Sequence, residues 1–203
     1  IDTVWVSNKT GIFAVLQFCR KHGSKIIYAG SSTKFGDGGL GRNQSPYSWT
    51  KSSNTELVIN FGHWFNIPYA ITYFYNVYGE REIETGKYAT LIALFKEKSR
   101  KDESLPVVSP GSQRRNFTNI EDIIDGVILV GEEGYGDDFG IGSTDSFTVL
   151  EIAKMFGGKI KMLPERQGNR MTADVVIEKT QALGWKCKRS IRDYINDFKK
   201  NNG

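Results

Sequence analysis

The sequence lacks the features that mark several large classes of protein. It has 203 residues but only two cysteines and two histidines, and Cys19 and Cys187 are far apart. Neither a disulfide framework nor a C-x-x-C redox pair is available, and without an H-E-x-x-H motif or a His/Cys cluster we expect no bound metal. No run of about 18 apolar residues occurs, so we expect a cytoplasmic protein that does not span a membrane.

The charge balance does not identify a partner. Lys and Arg number 27 against 23 Asp and Glu, a net charge of +4. This excess falls short of the basic stripe of a dedicated nucleic-acid binder. The basic runs at residues 98–101 and 114–115 are brief and lack interleaved aromatic residues, which is more typical of solvated faces. We therefore expect no nucleic-acid partner.

Hydrophobic spacing predicts strands that alternate with helices. Apolar residues recur at helical intervals over residues 8–22, 46–65, 87–98, 121–130, 148–156 and 190–199, with Ser146 as the N-cap of the fifth helix. Short apolar runs predict strands at 25–30, 69–75, 105–108, 139–142 and 159–163. Residues 131–138 are acidic and glycine-rich, which predicts a surface loop. This alternation favours an α/β protein built on parallel strands.

The sharpest local feature is a tyrosine and a lysine four residues apart, Tyr47 and Lys51, at the start of a predicted helix. They share a helical face, so the ammonium can stabilise the phenolate and make Tyr47 a usable acid/base. A chain with this many tyrosines and lysines holds roughly 0.75 such pairs by chance. The pair gains weight from its context, because a predicted buried strand ends at Ser31 just before it, and open α/β sheets place their sites at strand carboxyl ends.

At this point the sequence resembles the extended short-chain dehydrogenase/reductases, in particular their nucleotide-sugar epimerase/dehydratase branch. The resemblance implies the C-terminal portion of a Rossmann-type parallel sheet with helices, plus a small α/β substrate-binding domain. It implies NAD as the cofactor, with NADP left open, and a UDP-, GDP- or dTDP-linked sugar as the substrate. The matching stretches, in collinear order, are NKTG (8–11), YAGSSTKFG (28–36), SPYSWTK (45–51), YNVYG (75–79), GSQRRNFTNIED (111–122), PERQG (164–168) and LGW (183–185).

The resemblance assigns roles to individual residues. Tyr47 matches the catalytic tyrosine, Lys51 the lysine that also binds the nicotinamide ribose, and Ser31 the hydroxyl that positions and helps to deprotonate the sugar. Asn76 matches a substrate-contacting asparagine. Further substrate-binding positions by resemblance are Ser32 and Thr33 beside the catalytic hydroxyl, and Arg115 and Arg166, which match arginines that hold the nucleotide diphosphate.

The implied mechanism is a transient oxidation of the sugar, with C4 as the expected carbon, followed by hydride return to the other face. In 4,6-dehydratases an acidic residue follows the catalytic hydroxyl, whereas Ser32 and Thr33 carry no carboxyl group. An epimerase is therefore favoured. The alternatives are a 4,6-dehydratase or a reductase of the same family, and a non-catalytic relative that binds a sugar nucleotide or dinucleotide.

Departures from the family pattern lead to further expectations. The family's N-terminal phosphate loop is missing, and the GDGGLG run (36–41) lies where a loop near the substrate mouth belongs. We expect a fragment of a chain of roughly 300 residues that is inactive alone. The predicted domains are a partial NAD-binding domain (1–80) and a mainly sugar-nucleotide-binding domain (81–203), some of whose segments return to the Rossmann sheet. Tyr73 stands where many relatives carry arginine.

The resemblance also implies a homodimer in which helices 8–22 and 46–65 form a four-helix bundle with their copies. These helices contain aromatic residues that look exposed, namely Phe13, Phe18, Phe61 and Trp64. Burial of the same residues within one subunit is the alternative.

Overall fold

The computed structural model describes residues 2–35, 41–43, 45–86, 88–165 and 174–202. Its strands are β1 (Ile26–Ala29), β2 (Tyr69–Phe74), β3 (Val77–Tyr78), β4 (Leu105–Val108), β5 (Arg114–Asn116), β6 (Thr118–Asn119), β7 (Gly136–Ile141), β8 (Ser146–Thr148) and β9 (Ile160–Leu163). Its helices are α1 (Asp2–Trp5), α2 (Gly11–His22), α3 (Pro46–Phe65), α4 (Leu91–Arg100), α5 (Ile120–Glu133), α6 (Val149–Phe156), α7 (Glu178–Ala182) and α8 (Ile191–Asn202). A π-helical turn (Val6–Thr10) joins α1 to α2, and a 3-10 turn (Ser32–Phe35) follows β1.

The chain forms two compact units. Unit 1 comprises residues 1–74, 124–142 and 174–186, and unit 2 comprises residues 75–123, 143–173 and 187–203. Each unit draws on segments that are distant in sequence, because parallel strands require long crossover connections. A functional boundary near residue 80 stays a prediction.

Unit 1 is built on a parallel sheet of order β1-β2-β7. On one face, α2 and α3 bury an apolar cluster against the sheet that includes Leu16, Val58 and Ile71. On the other face, Val130 packs with Ala70 and Phe139. The sheet is thus covered on both sides, which explains why its strands read as continuous apolar runs.

Unit 2 packs α4, α6 and α8 around a second core with the short pairs β4-β9, β3-β6 and β5-β8. The first two pairs are parallel, whereas β5 and β8 are antiparallel. Large apolar side chains from helices and strands fill this core, including Phe95, Leu105, Phe156 and Ile195. The α/β class expected from the sequence is confirmed.

Several local predictions differ from the structure. In the predicted loop at 131–138, residues 131–133 end α5 and residues 136–138 begin β7, so the connection between them is only residues 134–135. Thr148, rather than Ser146, caps α6: its side chain accepts a hydrogen bond from Glu151 N, while the Glu151 carboxylate accepts one from Thr148 N. Ser146 is held in β8 by pairing with β5, and such long-range pairing leaves no local sequence signal. The short helix α7 was not predicted.

Two helical predictions also need correction. Residues 8–22 are helical, but the first three form the end of a π-helical turn, and Val15 is exposed. Helix α4 begins at Leu91 rather than at residue 87, because Thr90 caps it by accepting a hydrogen bond from Ala93 N. No described helix combines the length and the apolar character needed to cross a membrane.

A buried carboxylate ties the C-terminal segment of unit 2 to the first turn of α5. Asp122 is fully buried, and its Oδ2 accepts hydrogen bonds from the backbone N–H groups of Lys188 (3.1 Å) and Arg189 (2.9 Å). The Arg189 guanidinium donates to Oδ1 at 2.6 Å. A buried charge is tolerated only when it is paired and hydrogen-bonded in this way.

We expect Asp122→Asn to lower the free energy of unfolding by about 2 kcal/mol, because the amide keeps the shape but loses the charge that faces Arg189. Urea denaturation followed by circular dichroism would measure the change. Glu121→Gln, which alters the exposed carboxylate next to it on α5, serves as the matched control. Equal stability of the two variants would contradict the anchoring role of Asp122.

Candidate active site

Helix α3 carries the tyrosine and the lysine that the sequence singled out. Ser45 is its N-cap, accepting a hydrogen bond from Ser48 N at 3.0 Å, and Pro46 occupies the first turn. This start places Tyr47 in the first turn, where half of its surface is exposed (50%). Lys51 lies one turn further along the same face of the helix.

The Lys51 side chain leaves α3 and ends against the last residues of β1. Its Nζ donates to the Ala29 carbonyl oxygen at 2.5 Å and lies 4.6 Å from the centre of the Tyr28 ring. Burial lowers the pKa of Lys51. The cation is therefore held between a backbone carbonyl and an aromatic face beside the strand that leads to Ser31.

Ser31 follows β1 at the carboxyl edge of the sheet. Its Oγ lies 2.9 Å from Thr33 Oγ1 and also accepts a hydrogen bond from Thr33 N at 3.4 Å. Ser32 and Thr33 belong to the 3-10 turn and are partly buried. The hydroxyl of Ser31 is thus fixed by its own turn, and no carboxyl group belongs to residues 31–35.

A charged cluster beside this turn was missed by the sequence reasoning. Lys34 Nζ donates to Asp137 Oδ2 at 2.5 Å and to Asp138 Oδ1 at 2.7 Å, and the Tyr73 hydroxyl donates to Asp137 Oδ1 at 2.7 Å. The pKa of Tyr73 is raised far above its ordinary value, mainly because the phenol is buried and secondly because the Asp137 carboxylate lies beside it. The sequence contained a signal, the acidic pair at 137–138, but we interpreted it as part of a loop.

Two members of this cluster, Lys34 and Asp137, line a cavity of about 300 Å³ in unit 1. Ser31, Lys34 and Asp137 are among its lining residues, together with Arg42, Ser52, Thr55, Glu56 and Ile59. Two carboxylates, Asp137 and Glu56, therefore line the cavity that Ser31 also lines, although residues 32–33 provide none. Both oxygens of Asp137 already accept hydrogen bonds, from Lys34 and from Tyr73.

The π-helical turn is bonded to the middle of α3. Asn54, which is buried, donates from Nδ2 to the Asn8 carbonyl oxygen at 2.7 Å, and its Oδ1 accepts from Lys9 Nζ at 3.0 Å. Asn8 Nδ2 donates to Thr50 Oγ1 at 2.9 Å. These hydrogen bonds hold the π-helical turn against the middle of α3. The spacing of apolar residues did not predict this contact, because all of its partners are polar.

Asn76 and Arg115 lie in unit 2, where both line one cavity of about 400 Å³. Asn76 has a positive φ of 36° and donates from Nδ2 to the Asn116 carbonyl oxygen at 3.0 Å. Most of the wall is apolar, and its other lining residues are Val77, Thr90, Leu91, Ile92, Pro106, Val108, Gln113, Phe117 and Val149. The cavity combines apolar surface with a guanidinium and an amide. Arg166 lies outside the described residues.

The family relation is found over most of the chain. Residues 1–142 match the NAD dependent epimerase/dehydratase family. A Methanocaldococcus jannaschii protein provisionally named a UDP-glucose 4-epimerase is 26% identical over 96% of this chain and 70% of its own length.

Solved structures have the same fold. The UDP-glucose 4-epimerase of Thermotoga maritima with UDP-glucose aligns over 97% of this chain and 70% of its own, with a TM-score of 0.86 and 23% identity. The UDP-glucuronic acid 4-epimerase of Bacillus cereus, in complex with UDP-glucuronic acid and NAD, covers 97% of this chain and 68% of its own, with a TM-score of 0.82 and 24% identity. The match over residues 1–142 exceeds half of the chain, and the chain therefore belongs to the NAD dependent epimerase/dehydratase family.

Proposed function

We propose that this chain carries the acid/base residues and the sugar-nucleotide site of an NAD-dependent nucleotide-sugar epimerase that inverts C4 of the sugar. The observation that carries the proposal is the arrangement on α3, with Tyr47 exposed and Lys51 held one turn further along against the end of β1. The phenol can exchange a proton with a sugar hydroxyl, and Ser31 at the end of the same strand can orient that hydroxyl.

The donor set fits a dinucleotide at its nicotinamide end. The Lys51 ammonium donates one N–H to the Ala29 carbonyl oxygen, and its other N–H groups can donate to ribose hydroxyls. Tyr47 lies on the same helical face. NAD supplies a reversible hydride acceptor when it is bound. Tyr47 takes the hydroxyl proton as the sugar carbon is oxidised and returns it when the carbon is reduced from the other face, so no net redox change results.

The cavity in unit 2 suits a nucleoside diphosphate. Its apolar walls fit a base and ribose, and the Arg115 guanidinium can engage phosphate oxygens in a fork. We assign Asn76, which lines the same cavity, to contact the substrate. Ser32 and Thr33 complete the proposed sugar contacts because they lie beside Ser31. Arg166 is proposed as a second phosphate-binding residue, and this assignment rests only on the family resemblance.

A 4,6-dehydratase is the second candidate, and one observation favours it. Asp137 lines the cavity that Ser31 lines, so a carboxyl group is present near the proposed sugar site. However, elimination requires a protonated acid. Both oxygens of Asp137 accept hydrogen bonds from Lys34 and Tyr73, and Glu56, the second carboxylate that lines this cavity, is paired with Arg42 at 2.8 Å. The epimerase is therefore the stronger proposal, and identifying the sugar product distinguishes the two reactions.

We expect Tyr47→Phe to lower turnover about 100-fold or more, because the substitution removes the proton acceptor. Turnover of a panel of UDP-, GDP- and dTDP-sugars by the purified natural protein would be compared with UDP binding, which we expect to be kept. Tyr135→Phe, at an exposed tyrosine of the same unit, is the control. Near-normal turnover of Tyr47→Phe would refute the role of Tyr47. A wild type that binds UDP but turns over no sugar would indicate a non-catalytic relative.

We expect Arg115→Gln to raise the dissociation constant for UDP about 10- to 100-fold, because it removes a charge-assisted contact to phosphate. Isothermal titration calorimetry would measure the affinity. Arg114→Gln is the matched control, since Arg114 is adjacent in β5 but donates to Ser146 instead. The assignment fails if both variants bind UDP as the wild type does.

The helices of unit 1 also suit the expected homodimer. Phe13, Phe18 and Trp64 are more than half exposed, and Trp5 stacks on Trp49 at 5.8 Å between ring centres. An aromatic surface of this kind on α1–α3 is typical of an interface. Phe61, by contrast, is 5% exposed and packs inside unit 1, so the expectation that it is exposed was wrong.

We expect Trp64→Glu to dissociate this dimer, because it places a charge in the proposed apolar interface. Light scattering coupled to gel filtration would report the mass of the particle. Tyr88→Glu alters an equally exposed aromatic residue of unit 2 and should leave the mass unchanged. A wild-type protein that is monomeric at high concentration would contradict the proposal.

A further inference from the structure

The Lys51 ammonium occupies an unusual environment. It is half-buried, and this partial burial lowers its pKa. Within the described part of the chain, no carboxylate lies at ion-pairing distance from it, and its one hydrogen bond goes to the Ala29 carbonyl oxygen. A half-buried cation without a counter-ion is solvated less well than an exposed one, so a further favourable contact stabilises it.

Tyr28 provides a surface suited to that need. It lies next to Ala29 on β1, it is 9% exposed, and its ring centre is 4.6 Å from Lys51 Nζ. The face of an aromatic ring carries partial negative charge and attracts a cation within about 6 Å. Burial raises the pKa of the Tyr28 phenol, so the residue presents a neutral ring to the ammonium and not a phenolate.

The hydroxyl of Tyr28 does not explain why the residue is a tyrosine. It is buried and makes no hydrogen bond of good geometry with a described residue, and the polar side chain that faces it is Asn54, whose weak interaction lowers the pKa of the phenol less than burial raises it. An unsatisfied buried hydroxyl destabilises a fold, so the favourable contribution at this position comes from the ring. A phenylalanine should provide the same ring face without that cost.

We propose that Tyr28 is a positioning residue for Lys51, which it holds against the Ala29 carbonyl through the face of its ring. The inference rests on the proposed role of Lys51 and extends it to a residue of β1 that touches neither sugar nor cofactor in that proposal. It predicts that the aromatic face of Tyr28, and not its hydroxyl, stabilises the charged form of Lys51.

The elements that pack against α3 and β1 carry other titratable groups, and α3 and β2 also include His63 and Tyr69 near their ends. Tyr47 lies on α3 itself, and Glu56 on the same helix pairs with Arg42. On β2, Tyr73 donates to Asp137. The titratable residues of the N-terminal helical segments are Asp2 on α1, Lys9 on the π-helical turn, and Cys19, Arg20, Lys21 and His22 at the end of α2. None of these residues places an aromatic ring over Lys51 Nζ. Replacing Tyr28 therefore removes the cation–π contact and leaves these other groups in place.

The test is the titration of Lys51 in the intact chain, followed by NMR of protein labelled with ¹³Cε-lysine and assigned with Lys51→Arg. We expect Tyr28→Leu to lower the titration midpoint of Lys51 by about one pH unit, because loss of the ring face disfavours the ammonium form. Tyr28→Phe should keep the wild-type midpoint. An unchanged midpoint in Tyr28→Leu, or an equal decrease in Tyr28→Phe, would overturn the proposal.

Tyr135→Leu is the matched control, since it removes the exposed ring that lies 4.0 Å from Lys25 Nζ in the same unit. It should leave the Lys51 midpoint unmoved. If Tyr28→Leu does not fold, the unaltered protein and Tyr28→Phe still provide a test: the Lys51 ε-methylene protons should be shifted upfield by the ring current of residue 28 in both. Normal shifts would refute the proposal. Neither readout requires turnover, so failure of the epimerase proposal is detected separately.

Discussion

The continuation of the β1-β2 ladder beyond the strand is the constraint on which the proposed catalytic geometry depends. Gly30 N donates to the Thr72 carbonyl oxygen at 2.8 Å, one residue past the end of β1. A Cβ at Gly30 would lie 2.4 Å from Cε1 of Tyr73. Any residue other than glycine would therefore clash with this buried ring. The backbone therefore reaches Ser31 in a position fixed by β2.

Two lysines of unit 1, Lys34 and Lys51, are stabilised in different ways. Lys34 is neutralised by two carboxylates that come from the start of β7, whereas Lys51 has the Ala29 carbonyl and an aromatic ring. The first arrangement ties the turn after Ser31 to a distant strand. The second leaves a cation without a bound anion, which is the state suited to interaction with a developing phenolate or a ligand hydroxyl. Both arrangements lie beside the same strand end.

Much of the fold and part of the site could be predicted because they rest on local patterns. The bounds of α3 follow from Ser45 and Pro46 at one end and from Asn66, with a left-handed φ of 52°, at the other. The loop predicted at 131–138 was wrong because β7 owes its structure to pairing with β2, and its acidic residues make contacts with Lys34 and Tyr73. The N-cap at Ser146 was wrong for a similar reason, since β8 pairs with β5.

The sequence by itself determined that Tyr47 and Lys51 share a helical face, that a buried strand ends just before Ser31, and that the chain resembles a nucleotide-sugar epimerase family. These features depend on residues within about a turn of one another or on motif order. Only the tertiary structure decided that Lys51 lies over Tyr28 and that Asp137 lines the cavity of Ser31. Such contacts join residues 23 to more than 100 positions apart, and they form only when strands pair and side chains are buried together, which no local pattern encodes.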